Sequence, residues 1–137
     1  MTTHKDPKLI NIATDAARHF VDTYYPALNH ERQTLEAFYH SNASIAWNGN
    51  AISGGAAFSS FFATMPKSFY DPQSFDAQPL VSDGMGSCSV MLIVSGAVKY
   101  GESNEQRGFS ESFVLKPEPG SQSKFKIAAQ TFRIVTA

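Results

Sequence analysis

Apolar residues recur at helical spacing early in the chain, at Leu9, Ile12, Ala13, Ala16, Ala17, Phe20 and Tyr24. That spacing lays them on one stripe and predicts an amphipathic helix over residues 6–28. Asp6-Pro7 suits its start, as cap and first-turn proline. Pro26 is expected to kink or end it, because proline lacks a backbone donor and its ring crowds the preceding turn. A second short helix is expected over residues 31–39, with Leu35, Phe38 and Tyr39 inward. A short strand over residues 44–47 then meets the turn Asn48-Gly49-Asn50, where Asn-Gly tolerates positive φ. Phe58, Phe61, Phe62 and Met65 predict a third helix over residues 54–65, with Ser53 as its cap and Pro66 as its stop.

After that the period changes to two. Strands are expected over residues 74–81, 88–100, 108–116 and 125–135, separated by polar loops at 82–87, 101–107 and 117–123. Consecutive strands favour an antiparallel meander. Helices followed by strands predict an α+β fold, one curved sheet with helices on one face. Residues 89–98 barely alternate, and a strand apolar on both sides is covered on both faces. Helices can cover one of them. A partner covers the other, unless the sheet curls tightly enough to cover itself.

The chain has 137 residues, which fits one domain over 1–137, with 1–6 as a flexible lead. It is 42% hydrophobic, with eleven Phe, and its net charge is −1. So weak a field recruits neither nucleic acid nor an anionic membrane. Lys5, Lys8 and Arg18 are scattered, and Lys116, Lys124 and Lys126 border the last hairpin without forming a motif. With Cys88 alone, no internal disulfide can form, and a reducing compartment is the simplest setting. The polar N-terminus lacks an apolar signal core. The longest apolar run, at residues 90–94, is far short of the ~20 residues a membrane span needs. The expectation is a soluble intracellular protein. No His, Cys, Asp or Glu grouping has metal-ligand spacing, Gly54-Gly55 lacks a following Lys-Ser/Thr, and no cofactor is expected.

A family likeness rests on the order of several motifs. Phe20-Val21-Asp22-Thr23-Tyr24-Tyr25 is followed by Phe38-Tyr39, Trp47-Asn48-Gly49-Asn50-Ala51-Ile52-Ser53-Gly54 and Phe61-Phe62-Ala63-Thr64-Met65-Pro66. Near the end stand Arg107-Gly108-Phe109-Ser110-Glu111-Ser112-Phe113-Val114-Leu115 and Thr131-Phe132-Arg133-Ile134. This order resembles the nuclear transport factor 2 family over nearly the whole chain. More narrowly it resembles that family's export branch, the small subunits of the mRNA export receptor. The resemblance implies a cone in which a strongly bent antiparallel sheet wraps three helices. It implies a non-catalytic subunit that docks by its outer sheet face onto the similar domain of a larger, TAP-like receptor. It also implies passage through Phe-Gly repeat nucleoporins by way of the heterodimer, RNA contact at most indirect, and residence at the nucleus and nuclear pore with shuttling to the cytoplasm. Met91, Ile93, Ser110, Ser112, Val114 and Arg133 are the candidate interface residues. The resemblance gives Arg133 an ion pair with the large subunit, a role its planar fork suits. The alternatives are an exposed edge arginine or an internal pair with Glu111.

Within the family, the importer of Ran in its GDP form has Glu after the motif Trp. This chain has Asn48, and Glu102 and Glu105 stand in the loop where the importer has aspartates. A lost carboxylate argues against Ran. A homodimeric importer-like protein or another adaptor remains a second reading. The same cone also hosts isomerases and dehydratases, so a third reading is an enzyme. It would use Glu111, in register with Phe109 and Phe113, together with Tyr24 or His19, and would need a solvent-reachable cavity. Trp47, Tyr24 and the Phe58-Phe61-Phe62 stripe read more simply as core, Tyr25 as lining the mouth of the cone, and Cys88 as a small buried hydrophobe.

Overall fold

The computed structural model describes residues 7–81, 88–119 and 124–135. The expectations for residues 1–6, including the Asp6 cap, and for the loop at 82–87 lie outside these residues. The order is helix α1 (Pro7–His30), a 3₁₀ helix (Arg32–Phe38), strands β1 (Tyr39–Trp47) and β2 (Asn50–Ser53), helix α2 (Gly55–Ala63), then β3 (Ser68–Val81), β4 (Cys88–Tyr100), β5 (Arg107–Pro117) and β6 (Phe125–Val135). All six strands form one sheet in the order β2-β1-β6-β5-β4-β3. The expected α+β class and the meander of the last four strands hold. Two pairings go beyond them: β2, not expected as a strand, lies antiparallel to β1, and β1 lies parallel to β6. Register shifts bend the sheet, with an extra residue in β3 opposite β4, in β6 opposite β5, and a longer irregularity in β1 opposite β6.

The helices cover the inner face. Phe20, Tyr24, Tyr25 and Leu28 of α1 pack on Val90, Leu92, Val94, Phe109, Phe113 and Phe132. Phe58 and Phe62 of α2 close the other end over Tyr39 and Trp47. The apolar stripe of α1 is therefore real from Ala13 onward. Ile12, ahead of it, stays 43% exposed.

Several local expectations need correction. The first helix runs through Pro26 to His30. Tertiary contacts hold its last turn: the Asn29 side chain accepts from Tyr70 N–H (2.8 Å) and donates to its carbonyl (3.0 Å), and Ser68 Oγ donates to Leu28 O (3.0 Å). The second helix is 3₁₀, and Tyr39 opens β1 instead of ending the helix. The strand expected over 44–47 begins at Tyr39, and β3 begins at Ser68 rather than 74. Ser53 does not cap α2; it closes β2. Gly54 precedes the helix at φ 89°, where an added Cβ would lie 2.9 Å from Ser41 O. Only glycine suits that conformation at that distance.

Candidate functional site

Burial alternates along β4. Val90, Leu92 and Val94 point into the core, while Met91 and Ile93 point out and stay 40% and 48% exposed. The near-continuous apolar run therefore has a covered inner side and an open outer side. Strand register assembles the outer side into rows. Gln78, Met91, Val114 and Ala129 stand in one row, Asp76, Ile93, Ser112 and Thr131 in the next, and Ser74, Ser95, Ser110 and Arg133 in the third. All six sequence-selected residues share this face. Its centre is aliphatic and hydroxyl-bearing. Asp76 at one edge and Arg133 at one corner are the only charges in these rows.

Arg133 is exposed and takes part in neither ion pair formed among the described residues, Arg107–Glu105 and Lys126–Glu118. An internal pair with Glu111 is ruled out, because Glu111 is buried on the other face. The Arg133 guanidinium lies beside the Asn48-Gly49 turn. Both turn residues have positive φ, 49° and 86°, which matches the right-handed twist of a two-residue hairpin. Asn48 also splices β1 to β6. Its N–H donates to Phe132 O (2.9 Å), and its Oδ1 accepts from Ile134 N–H (2.8 Å). Trp47 is 3% exposed and stacks on Phe132 at 3.9 Å. Asn48 thus has a structural job. Glu102 and Glu105 are exposed, and Glu105 is occupied by Arg107 at 2.9 Å.

The interior is filled with aromatic and aliphatic side chains around one acid. Glu111 is 2% exposed. Its Oε1 accepts from Tyr25 O–H (2.8 Å) and its Oε2 from Gln130 Nε2 (2.5 Å). Gln130 Nε2 also donates to Tyr24 (3.1 Å), Tyr39 O–H donates to Gln130 Oε1 (2.6 Å), and the Tyr24 and Tyr39 hydroxyls are 2.8 Å apart. Burial pushes the Glu111 carboxyl up to about 7, against the opposing pull of its two donors. Burial likewise raises Tyr24, Tyr25 and Tyr39, which stay neutral. Tyr25 is 1% exposed and stands at the floor of a surface groove between α1 and β3.

Tyr24 joins the cluster as expected. His19 does not; it lines a separate surface groove of about 380 Å³ with Ile12, Phe38 and Phe125. Cys88 is buried, donates weakly to Ser89 O (3.2 Å), and burial raises its thiol. Among the described residues no group of three or more His, Cys, Asp or Glu could hold a metal, and no helix is long and apolar enough to cross a membrane.

Sequence reasoning missed two polar residues. Gln130 carries the buried network but stands in an otherwise ordinary strand. Arg32 donates to the carbonyls of Phe62 (2.9 Å), Met65 (2.7 Å), Pro66 and Leu28 (3.3 Å), and stacks over the Phe62 ring at 4.4 Å. It satisfies the C-terminal carbonyls of both α-helices. A single arginine between helices leaves no periodic signal; its neighbour Pro66, a helix stop, was the nearest hint.

The family profile described as the nuclear transport factor 2 (NTF2) domain matches residues 16–134. The chain is 36% identical to "NTF2-related export protein 1" of Bos taurus over 123 residues, 88% of this chain and 87% of the relative. Among solved structures it resembles nuclear transport factor 2 of Cryptosporidium parvum, with TM-score 0.77 at 21% identity over 95% of this chain and 97% of the other. It also resembles a chain of the structure described as "Sac3N peptide bound to Mex67:Mtr2", with TM-score 0.72 at 22% identity over 90% and 99%.

Proposed function

The chain belongs to the nuclear transport factor 2 family, and from that premise we propose that it is the small, non-catalytic subunit of an mRNA export heterodimer. The reading rests first on the 36% identity to a relative named an export protein, which spans most of both chains. The outer sheet face gives it a physical means. Met91, Ile93 and Val114 form an open aliphatic strip on a neutral surface, and such a strip gains by being covered. The partner is the similarly folded domain of a large, TAP-like receptor. Ser110 and Ser112 offer hydroxyls to it, and Arg133 meets a carboxylate of the partner. A complex of Mex67 and Mtr2 is named for the structural neighbour, which fits that arrangement. The heterodimer passes Phe-Gly nucleoporins and shuttles between nucleus and cytoplasm, and any RNA is reached through the large subunit. Asn48, engaged with Ile134 and carrying no charge, supports this reading over Ran import. A filled interior with an enclosed Glu111 supports it over catalysis, which needs an acid that substrate can reach.

Coexpression tests the reading. The chain should copurify at equal stoichiometry with a TAP-like large subunit. Failure to copurify, with the lone chain remaining a stable homodimer in light scattering, would favour the importer-like or adaptor reading instead.

A further inference from the structure

Glu111 is a buried acid without a cation. Among the described residues its hydrogen-bond partners are Tyr25 and Gln130, and it joins neither ion pair. Several tyrosines among the described residues stand around it. Tyr24 and Tyr25 come from α1, Tyr39 from β1, Tyr70 from β3 and Tyr100 from β4. Arg32 and Arg107 act on Tyr100.

Proton counting gives the cluster a direction. Tyr39 spends its proton on Gln130 Oε1, so Tyr24 must donate to Tyr39. Gln130 Nε2 donates to Tyr24, which closes a ring, and its second hydrogen goes to Glu111. In this arrangement Glu111 is a carboxylate, and every donor has an acceptor. The mirror arrangement is also nearly complete. If Glu111 carries a proton on Oε2, it donates to Gln130 once the amide turns over. Gln130 nitrogen then donates to Tyr39, Tyr39 to Tyr24, and Tyr24 to the Gln130 oxygen. Tyr25 still donates to Glu111 Oε1. Only one amide hydrogen loses its acceptor.

We propose that Glu111, Gln130, Tyr24 and Tyr39 form a proton-coupled switch, in which uptake of one proton by Glu111 turns the Gln130 amide over and reverses the ring of hydroxyls. Both arrangements keep five hydrogen bonds, but the acid one leaves one amide hydrogen unsatisfied. The acid arrangement avoids a buried charge, a larger penalty when no cation is near. The two therefore balance close to neutral pH, where a carboxyl raised to about 7 would titrate. Glu111 lies between Ser110 and Ser112, and Gln130 next to Thr131, so the switch stands one backbone layer behind the outer face.

The sign follows from linkage. The folded state holds the proton more tightly than the unfolded chain does, so stability is fullest below the ordinary carboxyl range and declines as pH rises through about 7. The folding equilibrium should lose on the order of 10²-fold across that window. Two measurements on the full chain test this. The Glu111 side-chain carboxyl carbon should titrate near neutrality in ¹³C NMR, and the Gln130 side-chain amide signals should move with the same midpoint. Glu111→Gln mimics the acid, donating to a turned Gln130 amide while accepting from Tyr25. It should flatten the decline in urea midpoint between about pH 5 and 8. A Glu111 carbon that titrates in the ordinary carboxyl range overturns the proposal, and so do Gln130 signals indifferent to that titration. The NMR arm needs no variant, so it decides the matter even if Glu111→Gln fails to fold.

Discussion

Replacing Ile93 tests the docking face at an exposed aliphatic position near its centre. Full burial of an isoleucine side chain is worth about 1.5–3 kcal/mol. Ile93 is 48% exposed, so docking can gain roughly 1 kcal/mol there. Ile93→Ala should forfeit that gain and weaken assembly with the large subunit about 5-fold. Ile93→Asp forfeits it too and buries a carboxylate that no cation meets. Asp76, its cross-strand neighbour, adds like-charge repulsion. An unpaired charge at a desolvated contact costs roughly 3–5 kcal/mol, so the aspartate variant should bind at least about 10³-fold more weakly. The lone chain should hardly notice. The Ile93 side chain points away from Leu92 and Val94, and the loss of strand propensity is within about 1 kcal/mol. Calorimetric titration of the large-subunit domain, paired with urea denaturation of each variant, separates the two effects. Wild-type affinity for Ile93→Asp would refute the reasoning. So would a loss of binding matched by an equal loss of fold stability, since that would make Ile93 a core residue.

Arg133→Glu should weaken the same assembly while leaving the fold unchanged, because Arg133 is exposed and makes no ion pair among the described residues; unchanged copurification would remove it from the interface. Arg32→Met should lower stability by about 3 kcal/mol, because four carbonyls lose a charged donor. In contrast, Arg107→Met, which loses only an exposed pair, should stay within about 0.5 kcal/mol in the same urea assay. Trp47→Ala should cost about 3–5 kcal/mol, from the cavity left between Phe58, Phe62 and Phe132; a smaller effect on thermal melting would mean that the hairpin and α2 can collapse into the space.

What the sequence disclosed was whatever is written in periods and turn dipeptides. The α1 stripe, the four-strand meander and the Asn48-Gly49 bend all follow from spacing, whereas the opposite facing of Leu92 and Ile93 in a run that barely alternates came only with the structure. What it withheld depends on contacts between distant residues. β2 has no alternation of its own and becomes a strand only because the turn lays it on β1. Pro26 breaks helices by local rules, yet Asn29 and Tyr70 hold the turn that follows it. Glu111 was legible as an inward acid because it alternates with Phe109 and Phe113. Its true partners, Tyr25 and Gln130, come from another helix and another strand, and no local pattern joins them.

The parallel pairing of β1 with β6 bears on how the protein comes into being. Residues 39–47 leave the ribosome long before residues 127–132, with which they pair. Until then Trp47 lacks the ring it stacks on, and the parallel edge of β1 stands open as a template for stray strands. The sheet can close between its earliest and latest strands only once the last has been made, and long-range pairing of this kind is slow. A nascent chain of this protein can therefore dock α1 on β3 and β4 as they emerge, while the β1–β2 hairpin stays unjoined to the sheet until the last strand is made. Substitutions at Asn48 or Phe132 should show themselves first as poor yield during expression, before any loss is measurable in the finished molecule.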